Sequence, residues 1–215
     1  MNIGILGTGM VGSAIGTKLV QLGHSVKMGS RTANNEKAAA WVKTGGANAS
    51  QGTFADAAAF GEILFNCTSG SGSADALKAA GATNLKGKIL VDISNPLDFS
   101  KGMPPTLFVC NTDSLAEQLQ RAFPYVRVVK TLNTVNCNVM VNPSLVPGDH
   151  DMFVCGNDAA AKTEVTKILK DWFGWKSVVD LGDLTGARAQ EMLVMIWVRL
   201  FMLSQSPNHN LKVVR

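Results

Sequence analysis

Charged residues make up only 17% of this 215-residue chain, and no run of lysines or arginines gathers them. With a net charge of +4 and no basic stripe, a nucleic-acid partner is not expected. The three histidines, His24, His150 and His209, lack zinc-motif spacing, so no metal site is expected. His24 reads as part of a surface turn, His150 sits between two adjacent aspartates, and His209 lies in a polar tail. The four cysteines, Cys67, Cys110, Cys137 and Cys155, include no C-x-x-C pair. They read as buried thiols of a reducing compartment, which points to the cytoplasm. The chain enters a strand-like run with no basic leader, so no signal peptide is expected. Its most apolar stretch, MLVMIWVRLFML at 192–203, carries Arg199 and is too short to span a bilayer. It reads instead as a helix buried on several sides that joins a homodimer interface.

Hydrophobic residues, by contrast, reach 46%, ample for a large core. Strand-like runs fall at 2–6, 25–29, 46–50 (GANAS), 62–69, 88–95, 126–134, 151–157 and 177–182. Helical patterns lie between them at 10–22, 35–43, 54–60, 73–80, 113–123 and 158–173, with a closing helix at about 184–204. Alternating strands and helices, with strands apolar on both faces, predict an α/β fold: a Rossmann-type, doubly wound, mainly parallel sheet with a short C-terminal helical segment. The expected division is 1–182 for the sheet domain and 183–215 for a segment completing the acceptor pocket or the dimer interface.

Gly7-Thr8-Gly9-Met10-Val11-Gly12 fits G-x-G-x-x-G directly after the first strand and at the start of a helix. Gly7 permits the tight turn, Gly9 lets backbone approach a pyrophosphate, and Gly12 lets helix pack on strand. Amides at the helix start then bind the phosphates. The second strand normally ends in an acid that accepts from a ribose 2′-hydroxyl. Here no carboxylate occurs from Ser25 through Asn35, and Ser30, Arg31 and Thr32 stand in its place. Hydroxyls and a planar guanidinium suit a 2′-phosphate, so the expected cofactor is NADP(H).

Hydride transfer to a flavin-like ring needs no nucleophile, and no catalytic side chain is expected. Polar residues at later strand ends are the candidates for the nicotinamide side: Cys67, Thr68 and Ser69, then Asn95, then Asn133 and Thr134.

The stretch IGILGTGMVGSAIGTKLVQLGHSVKMGSRT resembles the start of the coenzyme F420-dependent NADP oxidoreductases. It is also similar to the cytosolic NADPH-binding domain of the STEAP ferric reductases. The likeness continues through GKILVDISNPL, VVKTLNTV, FVCGND and ARAQEMLVMIWVRLFM. It implies a Rossmann domain, often dimeric, that passes hydride between NADP(H) and a deazaflavin (F420) or a flavin such as FMN or FAD. It further implies that Thr8, Met10, Val11, Ser30 and Arg31 hold NADP, and that Thr68, Asn95, Asn133 and Thr134 line the nicotinamide pocket. The deazaflavin reductases often carry a His and a Pro where this chain has Asn133 and Asn136, closer to the ferric-reductase pattern. Two other readings stand beside this one: a non-catalytic NADP(H)-sensing module, and a reductase of a small imine or carbonyl substrate. The stretch left after VVDLG is short for the helical domain such reductases usually carry.

Overall fold

The computed structural model describes residues 1–214, so the last residue of the 183–215 segment lies outside it. The first unit runs from strand β1 (Asn2–Leu6) into helix α1 (Met10–Gln21), then through β2 (Ser25–Ser30), α2 (Glu36–Gly45), β3 (Ala49–Thr53) and α3 (Phe54–Phe60). The second adds β4 (Ile63–Asn66), α4 (Gly70–Ala80), α5 (Ala82–Leu85), β5 (Ile89–Asp92) and a small hairpin, β6 (Leu97–Asp98) with β7 (Thr106–Leu107). There follow α6 (Leu115–Ala122), β8 (Arg127–Thr131), α7 (Cys137–Val141), β9 (Asp151–Gly156), α8 (Ala159–Lys167), β10 (Ser177–Asp180) and α9 (Gly186–Ser204).

Eight strands form one sheet in the order β10-β9-β8-β5-β4-β1-β2-β3. The six from β3 to β8 run parallel; β9 turns antiparallel to β8, and β10 follows β9 in parallel. This is the doubly wound, mainly parallel α/β sheet the strand pattern implies. Every residue of β4 and of β5 is buried, because helices cover both faces. Ile3, Ile5, Phe65, Val91 and Val129 build the core on one face, and Leu6, Leu64, Leu90 and Val128 the other. The strand order reverses between β1 and β4, so a crevice opens beyond their carboxyl ends.

The structure corrects several expectations. GANAS is not a strand throughout: Gly46–Asn48 forms a 3-10 turn, and pairing starts at Ala49. Gly46, at φ 71°, breaks the extended backbone there. The cysteines are all free but not all buried. Cys110 is exposed because the chain leaves β7 after Leu107, with Asn111 at φ 66°. Cys137 is half-buried. His24 is partly covered, its ring 4.3 Å from that of Trp172. Helix α9 is buried on one face only, through Ala187, Gln190, Glu191, Val194 and Val198. On the other, Met192, Ile196, Leu200 and Leu203 are exposed. Among the described residues no helix is long and apolar enough to cross a membrane.

Candidate functional site

The ends of β1, β2 and β4 meet around one cavity of about 980 Å³. Nine of the expected site residues line it as three consecutive triplets: Gly7, Thr8 and Gly9; Ser30, Arg31 and Thr32; Cys67, Thr68 and Ser69. The other six lie just outside that lining. Met10, Val11 and Gly12 form the first turn of α1, and Asn95, Asn133 and Thr134 follow the ends of β5 and β8. A second cavity, of about 540 Å³, lies by the start of β9. Several of its polar groups are already paired: His150 meets Pro143 and Asn210, Asp149 pairs with Lys212, and Asp151 accepts from the Val213 amide.

The glycine turn is shaped by close approach. Gly7 has φ 120°, and a side chain there would meet the Cys67 carbonyl at 2.6 Å. A Cβ on Gly12 would clash with the Gly7 carbonyl, whereas one on Gly9 would meet nothing within 4 Å. Gly9 therefore presents bare backbone to open space. The helix ends tell the same story. Helices α2, α3, α6 and α8 are capped by Asn35, Thr53, Ser114 and Asp158. Like α5 and α9, helices α1 and α4, which begin at the cavity, have neither a side-chain cap nor an acid in the first turn. Their first amides and the positive end of each helix dipole are left for an anion. A diphosphate fits this cradle.

At the rim, Ser30 is only 5% exposed. Its hydroxyl donates to the Thr32 carbonyl at 2.5 Å and accepts from the Thr32 amide. Ser30 thus shapes the turn that lifts Arg31 into solvent. Lys37, in the first turn of α2, joins Arg31 at the cavity wall, and Glu36 and Asp75 add two carboxylates. None of these four charges forms an ion pair among the described residues. Lys37 escaped sequence reasoning because nothing in its helix sets it apart until the fold turns it toward Arg31.

Toward β5 and β8, Asn95 and Asn133 clasp each other. Asn95 Nδ2 donates to the Asn133 carbonyl at 2.8 Å, and Asn133 Nδ2 donates to Asn95 Oδ1 at 2.9 Å. Asn133 Nδ2 also reaches the Gln190 carbonyl on α9, at 3.1 Å. Leu132, fully buried at φ 64°, aims this segment; a left-handed, bulky residue is a strained conformation held by its surroundings. Three buried atoms here have no partner: Asn133 Oδ1, Thr134 Oγ1 and Gln190 Oε1. Unpaired buried polar atoms are costly. Gln190 was hidden from sequence reasoning inside an apolar helix. Thiol chemistry is disfavoured, since burial pushes the Cys67 thiol up and the Cys155 thiol up to about 12.

Residues 2–96 match the family described as NADP oxidoreductase, coenzyme F420-dependent. A solved protein from Arthrobacter sp. FB24, named as a candidate F420-dependent NADP reductase, is 50% identical with a TM-score of 0.95, each chain covering the other fully. The chain belongs to the coenzyme F420-dependent NADP oxidoreductase family. An F420-dependent NADP reductase of Methanocaldococcus jannaschii is 31% identical over 130 residues, 60% of this chain. The metalloreductase STEAP3 of Rattus norvegicus is 30% identical over 193 residues, 89% of this chain. The chain spans 57% and 36% of the lengths of these two relatives. The family match ends at residue 96, just after Asn95, so Asn133, Thr134 and α9 lie beyond it.

Proposed function

We propose that this oxidoreductase binds NADP(H) and passes hydride between it and coenzyme F420 or another flavin-type acceptor. The observation that carries the reading is the acid-free end of β2, with Arg31 and Lys37 on the same cavity as the uncapped start of α1. Amides at Gly9, Met10 and Val11 would hold the diphosphate, with Gly7 and Gly12 shaping the turn. Arg31, Thr32 and Lys37 would hold the 2′-phosphate, on a turn set by Ser30. A carboxylate at the β2 end would instead repel it. Thr8, Cys67, Thr68 and Ser69 would wall the cleft toward Asn95, Asn133 and Thr134, the nicotinamide side. NADP(H), when bound, supplies the hydride chemistry. The chain's own residues orient the ring and exclude water.

Helix α9 serves this reading as the closing element of residues 183–215, because Gln190 touches Asn133 from outside the sheet domain of 1–182. Its exposed stripe of Met192, Ile196, Leu200 and Leu203 supports a homodimer. The four free thiols fit a cytoplasmic setting.

The test is turnover: NADPH oxidation with F420, FMN, FAD and ferric chelates, followed at 340 nm. Rapid oxidation with F420 is the expected result. NADPH binding without turnover on any acceptor would replace the enzyme by a sensor.

A further inference from the structure

Under the strand ends lies a charge cluster that hydride transfer does not require. Lys130 is wholly buried, its ammonium 2.8 Å from Asp92 Oδ2 and 3.0 Å from Glu191 Oε1, with a third contact to the Ser94 carbonyl. Asp92 Oδ1 accepts from Asn66 Nδ2 at 2.8 Å and from Ser94 Oγ at 2.7 Å. Asn66 Oδ1 in turn accepts from Thr68 Oγ1 at 2.7 Å, and Thr68 lines the cavity. Glu191 accepts from the Leu115 and Ala116 amides at the start of α6, at 2.7 and 3.1 Å. Burial by itself would lower the Lys130 pKa; the attraction of Asp92 and Glu191 reverses that and raises it.

The cluster holds two carboxylates and one ammonium, a surplus of one negative charge. The start of α6 offsets roughly half a charge. The nearby Arg188–Glu117 pair, between α9 and α6, balances itself. Buried ion clusters add little net stability compared with apolar packing, so stability alone does not account for this one. Bulk salt screens it weakly.

We infer that the Asp92–Lys130–Glu191 cluster sets the relative affinity of the site for the two redox states of its dinucleotide, favouring the oxidised one. The inference rests on the NADP(H) reading above. The oxidised nicotinamide ring carries one positive charge that the reduced ring lacks, while phosphates, sugars and adenine are the same in both. A surplus negative charge beneath Thr68, Ser94 and Asn95 therefore acts on the difference alone.

The experiment measures dissociation constants for NADP⁺ and NADPH by fluorescence titration, with circular dichroism to check the fold. Glu191→Gln and Asp92→Asn each remove the surplus. Both are expected to lower the preference for NADP⁺ over NADPH by about fivefold, a modest Coulomb effect at protein dielectric. Lys130→Met leaves the two carboxylates without their cation; they then share a proton, the surplus stays near one, and the preference is expected to stay near that of wild type. Loss of packing alone would weaken both redox states alike, as Arg31→Ala is expected to do. Should Lys130→Met not fold, the two near-isosteric variants carry the test against Arg31→Ala. A preference unmoved in folded Glu191→Gln and Asp92→Asn, or lowered by Lys130→Met as much as by those two, overturns the inference. If wild type binds both states and the preference does not respond, only this inference falls. If wild type binds neither, the dinucleotide reading falls and this inference with it.

Discussion

Gly9 and Gly12 stand three residues apart and do different work. A methyl on Gly12 would collide with the Gly7 carbonyl, a backbone atom that cannot swing aside. Gly12→Ala is expected to cost about 1–3 kcal/mol of stability, as overpacking does, and to lower the melting temperature. A methyl on Gly9 meets only space. Gly9→Ala should leave the melting temperature unchanged yet weaken NADPH binding by about tenfold, because that space is where the diphosphate would lie. Calorimetry and titration on the same two proteins check both. The glycine turn and the place of Arg31 on the cavity were legible in the sequence because strand ends and residue chemistry point there. Lys130 was not: within VVKT it reads as a strand residue, and only the fold brings Asp92 and Glu191 to it across 38 and 61 positions. Ser30 was legible as polar, but not as a turn-former whose hydroxyl donates to the Thr32 carbonyl.

At the scale of elements, most strands and helices were readable because their apolar periods are strong. What escaped was short. The β6–β7 hairpin pairs only two residues a side, and the five residues of α7 lie too close to one turn to show a period. The two faces of α9 were merged because its apolar residues surround it, yet tertiary packing covers only one side. That packing is polar in part. Arg188 grips Glu117 on α6 through Nε at 2.9 Å and Nη2 at 2.6 Å, a charge-assisted fork. Arg188→Ala is expected to loosen the start of α9 and weaken NADPH binding modestly through Gln190 and Asn133. Faster amide exchange over 186–192, with the sheet unaffected, is the measurement that checks it.

For the molecule as a whole, the proposed homodimer rests on the bare stripe of α9. Ile196, 49% exposed, stands in its middle. Ile196→Glu should halve the mass seen by light scattering at micromolar concentration and leave helix content intact. A wild type that already scatters as a monomer would remove the dimer from the account. Acid stability also has a local source. Hydrogen bonds from Arg121 hold the Asp113 carboxyl at about 2, below its ordinary 3.8. A depressed carboxylate stabilises the fold above its unfolded pKa, and that contribution disappears as pH falls from near 3.8 toward 2. The melting temperature of Asp113→Asn should therefore fall less steeply than that of wild type across this window.

The proposed function depends on a cavity whose backbone would receive a diphosphate and whose rim would read a further phosphate on the adenosine sugar. The most direct test is a calorimetric titration of NADPH and of NADH into wild type and Arg31→Ala. Two charge-assisted hydrogen bonds correspond to a preference for NADPH on the order of a hundredfold in wild type. In Arg31→Ala that preference should fall by about tenfold or more, with NADH affinity nearly unchanged. Equal affinity of wild type for the two coenzymes would contradict the account.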